Sequence, residues 1–397
     1  MSKGWIAALL LMFAGCVADE APEPGPTQSD AAPVTIPAES ATDGLPDYAE
    51  LPEKIEKLTL AAYGDSSGGV RLKLWNNRAY VNTGNPQDGI AIFDITNPLE
   101  PERLGAVTGI GPREGIDLLN YGERVVVVVS LASPVAGPIV FIDVTDPAAP
   151  KELKRFDVQS HTVAAYRPGH VVYNAGFATG PVAGLEIIDA RDPDNIRIEK
   201  TWNWGAAAAD GTPIQPTGCH DIIVDQVAAR AYCAAQAQTT IWDLKDPFNP
   251  RVLTVVNDPV VPHHNTAFPI LDGKVLVIGD EEAGCGPVTP GGPTPAGLWF
   301  YDLEESPPSL ISWVSYPMPA PQSGCAPHFG SEVGNGTGMV TFGWFGAGLV
   351  LVDATDPSSP RIASSTQEGG SGSDAMYYRG MVFVAGGKGG LQVAVPG

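Results

Sequence analysis

The chain has 397 residues, a formal net charge of −22 and 44% hydrophobic residues. That charge excludes nucleic acid and anionic lipid as partners gripped by a basic face. With 46 glycines and 38 prolines, the composition points to short strands and many turns and away from long helices.

The first element is "MSKGWIAALLLMFAGC". Lys3 is followed by an apolar run from Trp5 to Phe13, far shorter than the roughly 20 residues of a membrane span. It reads as an export signal. The ending Phe13-Ala14-Gly15-Cys16 resembles the lipobox of bacterial lipoproteins. That resemblance implies removal of residues 1–15, lipidation of Cys16 and anchorage to the cell envelope. Val17 and Ala18 after the cysteine favour the outer membrane. Residues 17–50 hold six prolines and eight acids with no Lys or Arg. Such a segment buries too little apolar surface to fold, so 16–50 reads as a tether and the globular part starts near 51.

One phrase then recurs: "GIAIFDITNPLEP" (89–101), "PIVFIDVTDPAAP" (138–150), "GLEIIDARDPDNI" (184–196), "TTIWDLKDPFNP" (239–250), "GLWFYDLEESPP" (297–308) and "GLVLVDATDPSSP" (348–360). Its anchors are Asp94, Asp143, Asp189, Asp243, Asp302 and Asp353. A seventh, decayed copy is "GLQVAVPG" (390–397), with Val395 in the anchor place. Periods of this length made of β-type runs mean propeller blades. Blade four is the clearest, with four short runs: "HDIIVD", "ARAYCAA", "TTIWDL" and "RVLTVV". The anchor Asp caps the turn after the third strand. Proline leads into the fourth strand, the blade's outer edge, where a missing N–H is tolerated. The chain stops after the third strand of blade seven. "LPEKIEKLTLAAYG" (51–64) has the form of the other fourth strands. The expected fold is all-β: a seven-bladed propeller closed by residues 51–64.

The phrase Gly-Leu-Val-Leu-Val-Asp (348–353) with its downstream Asp-Pro-x-x-Pro resembles the LVIVD repeat of bacterial and archaeal surface proteins. The likeness covers roughly residues 51–397. It implies a surface propeller and names no reaction.

Aligning the blades on their second strands puts His161, His220, His264 and His328 in one register, where the innermost strand begins. They should ring one mouth of the central channel. On that count His263 is out of register and His170 lies at the other end of its hairpin. Imidazole suits Zn, Cu, Fe or Ni, so these four could hold a copper or other divalent ion, with Asp221 or Glu281 as a further ligand or base. The propeller group of selenium-binding proteins and methanethiol oxidases, said to bind copper through channel histidines, is similar in this respect. In the competing reading each ring only braces a neighbouring blade. No phosphate loop, dinucleotide fingerprint or HExxH occurs. Two functions therefore stand: a module binding a protein or small-molecule partner at the channel mouth, or a metal-dependent envelope enzyme. Of five cysteines, four remain beside Cys16, and export permits disulfides. The favoured pairs are Cys219–Cys233, across the inner hairpin of blade four, and Cys285–Cys325, over the channel mouth.

Overall fold

The computed structural model describes residues 43–131, 137–176, 184–282, 284–287, 294–366 and 371–397. Cys16 and the rest of 1–42 lie outside the described residues. The 28 strands, numbered in chain order, form seven four-stranded antiparallel sheets. The innermost strand of each blade is, in turn, β2 (Arg71–Trp75), β6 (Pro112–Tyr121), β10 (Thr162–Tyr166), β14 (Asp221–Asp225), β18 (His264–Ile270), β22 (Ala326–Glu332) and β26 (Gly372–Tyr378).

Each anchor aspartate makes the turn expected of it. Its Oδ1 accepts the backbone N–H two residues on: Thr96 on Asp94 at 2.7 Å, Thr145 on Asp143 at 3.0 Å, Arg191 on Asp189 at 3.1 Å, Lys245 on Asp243 at 3.0 Å, Glu304 on Asp302 at 2.8 Å and Thr355 on Asp353 at 3.2 Å. That short-range bond fixes the corner before the fourth strand. The fourth strands then face solvent on alternate residues, as in Arg197–Asn203.

The ring closes as the missing strand requires. Strand β1 (Leu58–Tyr63) pairs antiparallel with β28 (Leu391–Pro396), from Leu58 opposite Pro396 to Tyr63 opposite Gln392. Lys57 and Gly397 exchange both backbone hydrogen bonds, at 2.9 and 3.0 Å. Both ends of the propeller are therefore held in one sheet, and the outer edge of β28 is covered by β1. The chain already touches the propeller before residue 51. Asn76 N–H donates to Asp43 at 3.1 Å, Tyr48 N–H to the Arg379 carbonyl at 2.8 Å, and the Arg379 guanidinium lies 3.9 Å over the Tyr48 ring.

The core lies mainly between neighbouring blades. Ile90 and Ile92 of blade one meet Ile116, Leu118 and Val127 of blade two, all essentially buried. Flat blades stacked face to face exclude water from both sides of the inner three strands. This is why those strands read as unbroken apolar runs such as "RVVVVVSL". The axis is left to residues at the start of the innermost strands, most of which are polar.

Candidate metal centre

Strand pairing gives the register of the axis. In each blade one residue pairs with the second-strand residue that lies opposite the anchor-minus-two position. Three places before it stand Val70, Glu114, His161, His220, Asn265, His328 and Ser373. One place later stand Arg71, Gly115, Thr162, Asp221, Thr266, Phe329 and Asp374. These two layers form the channel mouth and its floor.

The floor is closed by charge. Arg71, from blade one, crosses to Asp221 in blade four, with Nη1 to Oδ1 at 2.6 Å and Nη2 to Oδ2 at 3.2 Å. Thr266 donates to Asp221 Oδ2 at 2.8 Å, and the guanidinium sits 4.0 Å over the Phe329 ring. Asp374 accepts the Leu72 N–H at 3.1 Å. Deeper still, Lys73 Nζ is 3.9 Å from Asp117, whose Oδ2 accepts the Ala165 N–H at 2.8 Å. Burial alone would raise Asp221, but Arg71 and Thr266 outweigh it and hold the carboxyl below its usual value. Asp221 was expected as a metal ligand or base. It is instead committed to the floor, with both oxygens occupied.

Above this floor six side chains from five blades face one another. Glu114 Oε2 is 3.7 Å from His161 Nδ1. The His161 and His220 rings are 4.3 Å apart, and His220 is 5.0 Å from His263. His328 Nε2 lies 3.8 Å from Glu281 and 3.9 Å from Glu114. Neighbouring blades hold the histidine backbones in place. Ser130 donates to the His161 carbonyl at 2.8 Å, and Thr162 to that of His220 at 2.9 Å. His328 has its Nδ1 against Ser373, at 3.0 Å from Oγ and 3.1 Å from the carbonyl. That leaves its Nε2 toward the carboxylates, the orientation that outer hydrogen bonds give metal-ligating imidazoles.

His264 is a correction. It was expected at the axis, and His263 away from it. His264 is instead fully buried with Nδ1 2.8 Å from Thr239 Oγ1, while His263 joins the cluster. The cause is a slip of one residue. Val277, not Leu276, pairs with Phe300, two before anchor Asp302, as Tyr173 pairs with Ile187, two before Asp189. Side chains alternate, so one residue flips the face. Asn265 therefore takes the histidine's place in blade five, with its amide donating to Glu281. His263 comes back to the mouth two residues earlier. Glu114 was missed for a related reason. The inner hairpin of blade two runs two residues longer than that of blade three, so counting back from the second strand stops short of it. The signal was its place three before Asp117, as His161 is three before Ala164. His170 behaves as expected, stacked on Tyr121 at 4.5 Å and bonded to the Asn120 carbonyl at 2.8 Å. Both favoured disulfides are present, Cys219–Cys233 and Cys285–Cys325. The second ties the loop after Glu281 to the entry of blade six.

No protein-family model matches the chain, and no curated protein matches it by sequence. Solved structures match its fold. The Cps50 (Swd1) β-propeller domain of Myceliophteria thermophila aligns with TM-score 0.54 at 10% identity, over 87% of this chain and 100% of that one. A protein from Lactobacillus plantarum aligns with TM-score 0.57 at 10% identity, over 78% and 88%. At that identity the likeness shows the propeller fold alone.

The chemistry of the mouth follows from its burial. Burial and the neighbouring imidazoles push His220 well below its usual pKa, and burial likewise lowers His263 and His328. The rings are thus neutral near pH 7, the state in which imidazole binds metal. Burial, reinforced by Glu114, raises Glu281 to about 7. Burial raises Asp280 to about 7 as well. The donors of Glu114, His161 and His220 lie within 4.8 Å of one another, as do those of His220, His263 and Glu281. Ligands at 2.0–2.1 Å around a tetrahedral ion are roughly 3.4 Å apart. Closure by about an ångström would make either set a ligand shell, and its N/O donors suit Zn, Cu, Fe or Ni.

Proposed function

We propose that this protein is an exported, lipid-anchored propeller of the LVIVD-repeat kind that binds a divalent transition-metal or copper ion at its channel mouth. The metal carries the binding function, and a partner protein or small ligand would meet it there. One observation carries this reading: four imidazoles and two carboxyl groups, brought from five blades, converge above a floor closed by the Arg71–Asp221 pair. Structural bracing explains His264, whose ring is hydrogen-bonded to Thr239 of the neighbouring blade. It does not explain why His161, His220, His263 and His328 turn to a shared space. Metal analysis tests it. Purified protein, stripped and then dialysed against Zn²⁺ or Cu²⁺, should retain metal stoichiometrically after passage over a chelating resin. Retention of none overturns the proposal.

The enzymatic reading has one observation in its favour. Glu281, half-protonated near neutral pH, can give or take a proton beside the imidazoles, as a general acid or base must.

The anchor is a separate proposal, supported by the lipobox-like run ending at Cys16. Several acyl chains would hold the protein firmly, each buried CH₂ contributing about 0.8 kcal/mol. Cys16→Ser should move it from the membrane fraction to the soluble fraction of expressing cells. Wild-type protein that is soluble and lacks acyl mass would refute the anchor without touching the metal site.

A further inference from the structure

We propose that the channel mouth takes two metal ions rather than one. This rests on the metal-binding reading above and deepens it. The six donors are too many and too spread for a single tetrahedral ion. Among the described residues, those close enough to share an ion fall into two triads, Glu114–His161–His220 and His220–His263–Glu281. Each triad holds one carboxylate and two imidazoles, so each offers one negative charge to one cation. His328 stands between the two carboxylates, 3.9 Å from Glu114 and 3.8 Å from Glu281, within reach of either position as a further ligand.

An octahedral ion could in principle use six ligands. It needs opposite donors only about 4.2 Å apart, twice the bond length, and all six aimed at one point. Here they are strung around the wall of a channel, one or two per blade. The blades cannot close on the axis, because the Arg71–Asp221 pair and Phe329 already fill it just below. Filling both triads also removes a conflict. Glu114 and Glu281 face the same space and repel each other. The side chains of Arg71 and Lys73 belong to the floor and are spent on Asp221 and Asp117.

His220 is common to both triads. An imidazole has two ring nitrogens. A ring that gives up its remaining N–H proton to solvent can hold an ion at each, so His220 is the ligand on which both positions depend. The two ions are then coupled, and losing an outer ligand on one side should leave the other side loaded.

The experiment counts metal per chain. Full-length protein is stripped and dialysed against excess Zn²⁺. Weakly held metal is removed on a chelating resin, and zinc is measured by plasma mass spectrometry against amino-acid analysis. Two equivalents are expected for the wild type. His161→Ala and His263→Ala should each keep one, His220→Ala none, and His170→Ala both. Near-ultraviolet circular dichroism checks that each variant is folded. For a variant that is not, the milder His161→Gln or His263→Gln replaces it. One equivalent in the wild type overturns the two-ion proposal and leaves the metal reading standing. So does a pair of outer variants that each lose everything or lose nothing. Zero equivalents in the wild type overturns the metal reading itself.

Discussion

Arg71→Ala lowers the stability of the propeller by about 3–5 kcal/mol, the cost of breaking a buried ion pair from one side. The guanidinium is 3% exposed and its partner Asp221 1%. Removing it leaves the buried carboxyls of Asp221 and Asp374 with the Thr266 hydroxyl, the Leu72 N–H and the more distant Lys73 for compensation. It also removes the one side chain that spans the channel between blades one and four. Asp221→Ala should cost a similar amount by stranding the cation. The double variant Arg71→Met with Asp221→Leu should recover part of the loss, because it removes the Asp221 charge together with its partner and leaves Asp374 as the one floor carboxyl deprived of Arg71. Denaturant midpoints at pH 7 measure all three. The sign with pH is fixed by Asp221, whose pKa is held below its usual value. The pair's contribution is complete above the unfolded value of about 3.9 and is lost as pH falls through the lower folded value. If Arg71→Ala stays within about 1 kcal/mol of wild type, the level of a surface pair, the floor is not what holds these blades.

The architecture was legible because the blade repeats. Six copies of an apolar run ending in an anchor Asp, each followed by a Pro-containing turn, fix strand three of six blades, and the short count in the seventh is made up by Leu58–Tyr63. The mouth was legible only in part, and for the same reason. A repeat tells where equivalent positions fall only while hairpins keep one length. In blades three and four they do, and His161 and His220 were placed correctly. In blade two the longer hairpin hid Glu114. In blade five the second strand was aligned one residue early, and alternation exchanged His264 for His263. Asp221 shows a different limit. Its sequence position beside His220 is right for a ligand, but only the fold shows that Arg71, 150 residues away, has claimed it. Side chains that meet across a channel leave no periodic trace.

Metal affinity at the mouth should rise with pH, and more steeply below pH 7 than above it. Burial and Glu114 raise Glu281 to about 7, so at pH 6 the metal-free protein carries a proton that the metal must displace. One displaced proton makes the apparent Kd about tenfold weaker for each pH unit below 7. Burial has lowered His220, His263 and His328, so protonated forms of these three rings do not compete over this range. Competition titrations with a chromophoric chelator between pH 6 and 8 would read the slope. Glu281→Gln should make it shallower over that window by up to the one proton that Glu281 contributes, and weaken binding at pH 8, where the carboxylate is otherwise present. Asp280→Asn is the control. Asp280 is also raised to about 7 by burial, but it lies in neither donor triad, so the slope should survive its loss. Stability gives an independent check of sign. A carboxyl raised in the folded state contributes most below its unfolded pKa of about 4.3, and loses that contribution as pH rises through the folded value of about 7. The metal-free protein therefore carries its charged Glu281 at a cost at pH 8, and bound metal relieves it. The rise in Tm on adding Zn²⁺ should be larger at pH 8 than at pH 6, following the tighter Kd. An equal rise at both, with an equal slope in Glu281→Gln, would remove Glu281 from the ligand set and leave the imidazoles as the site.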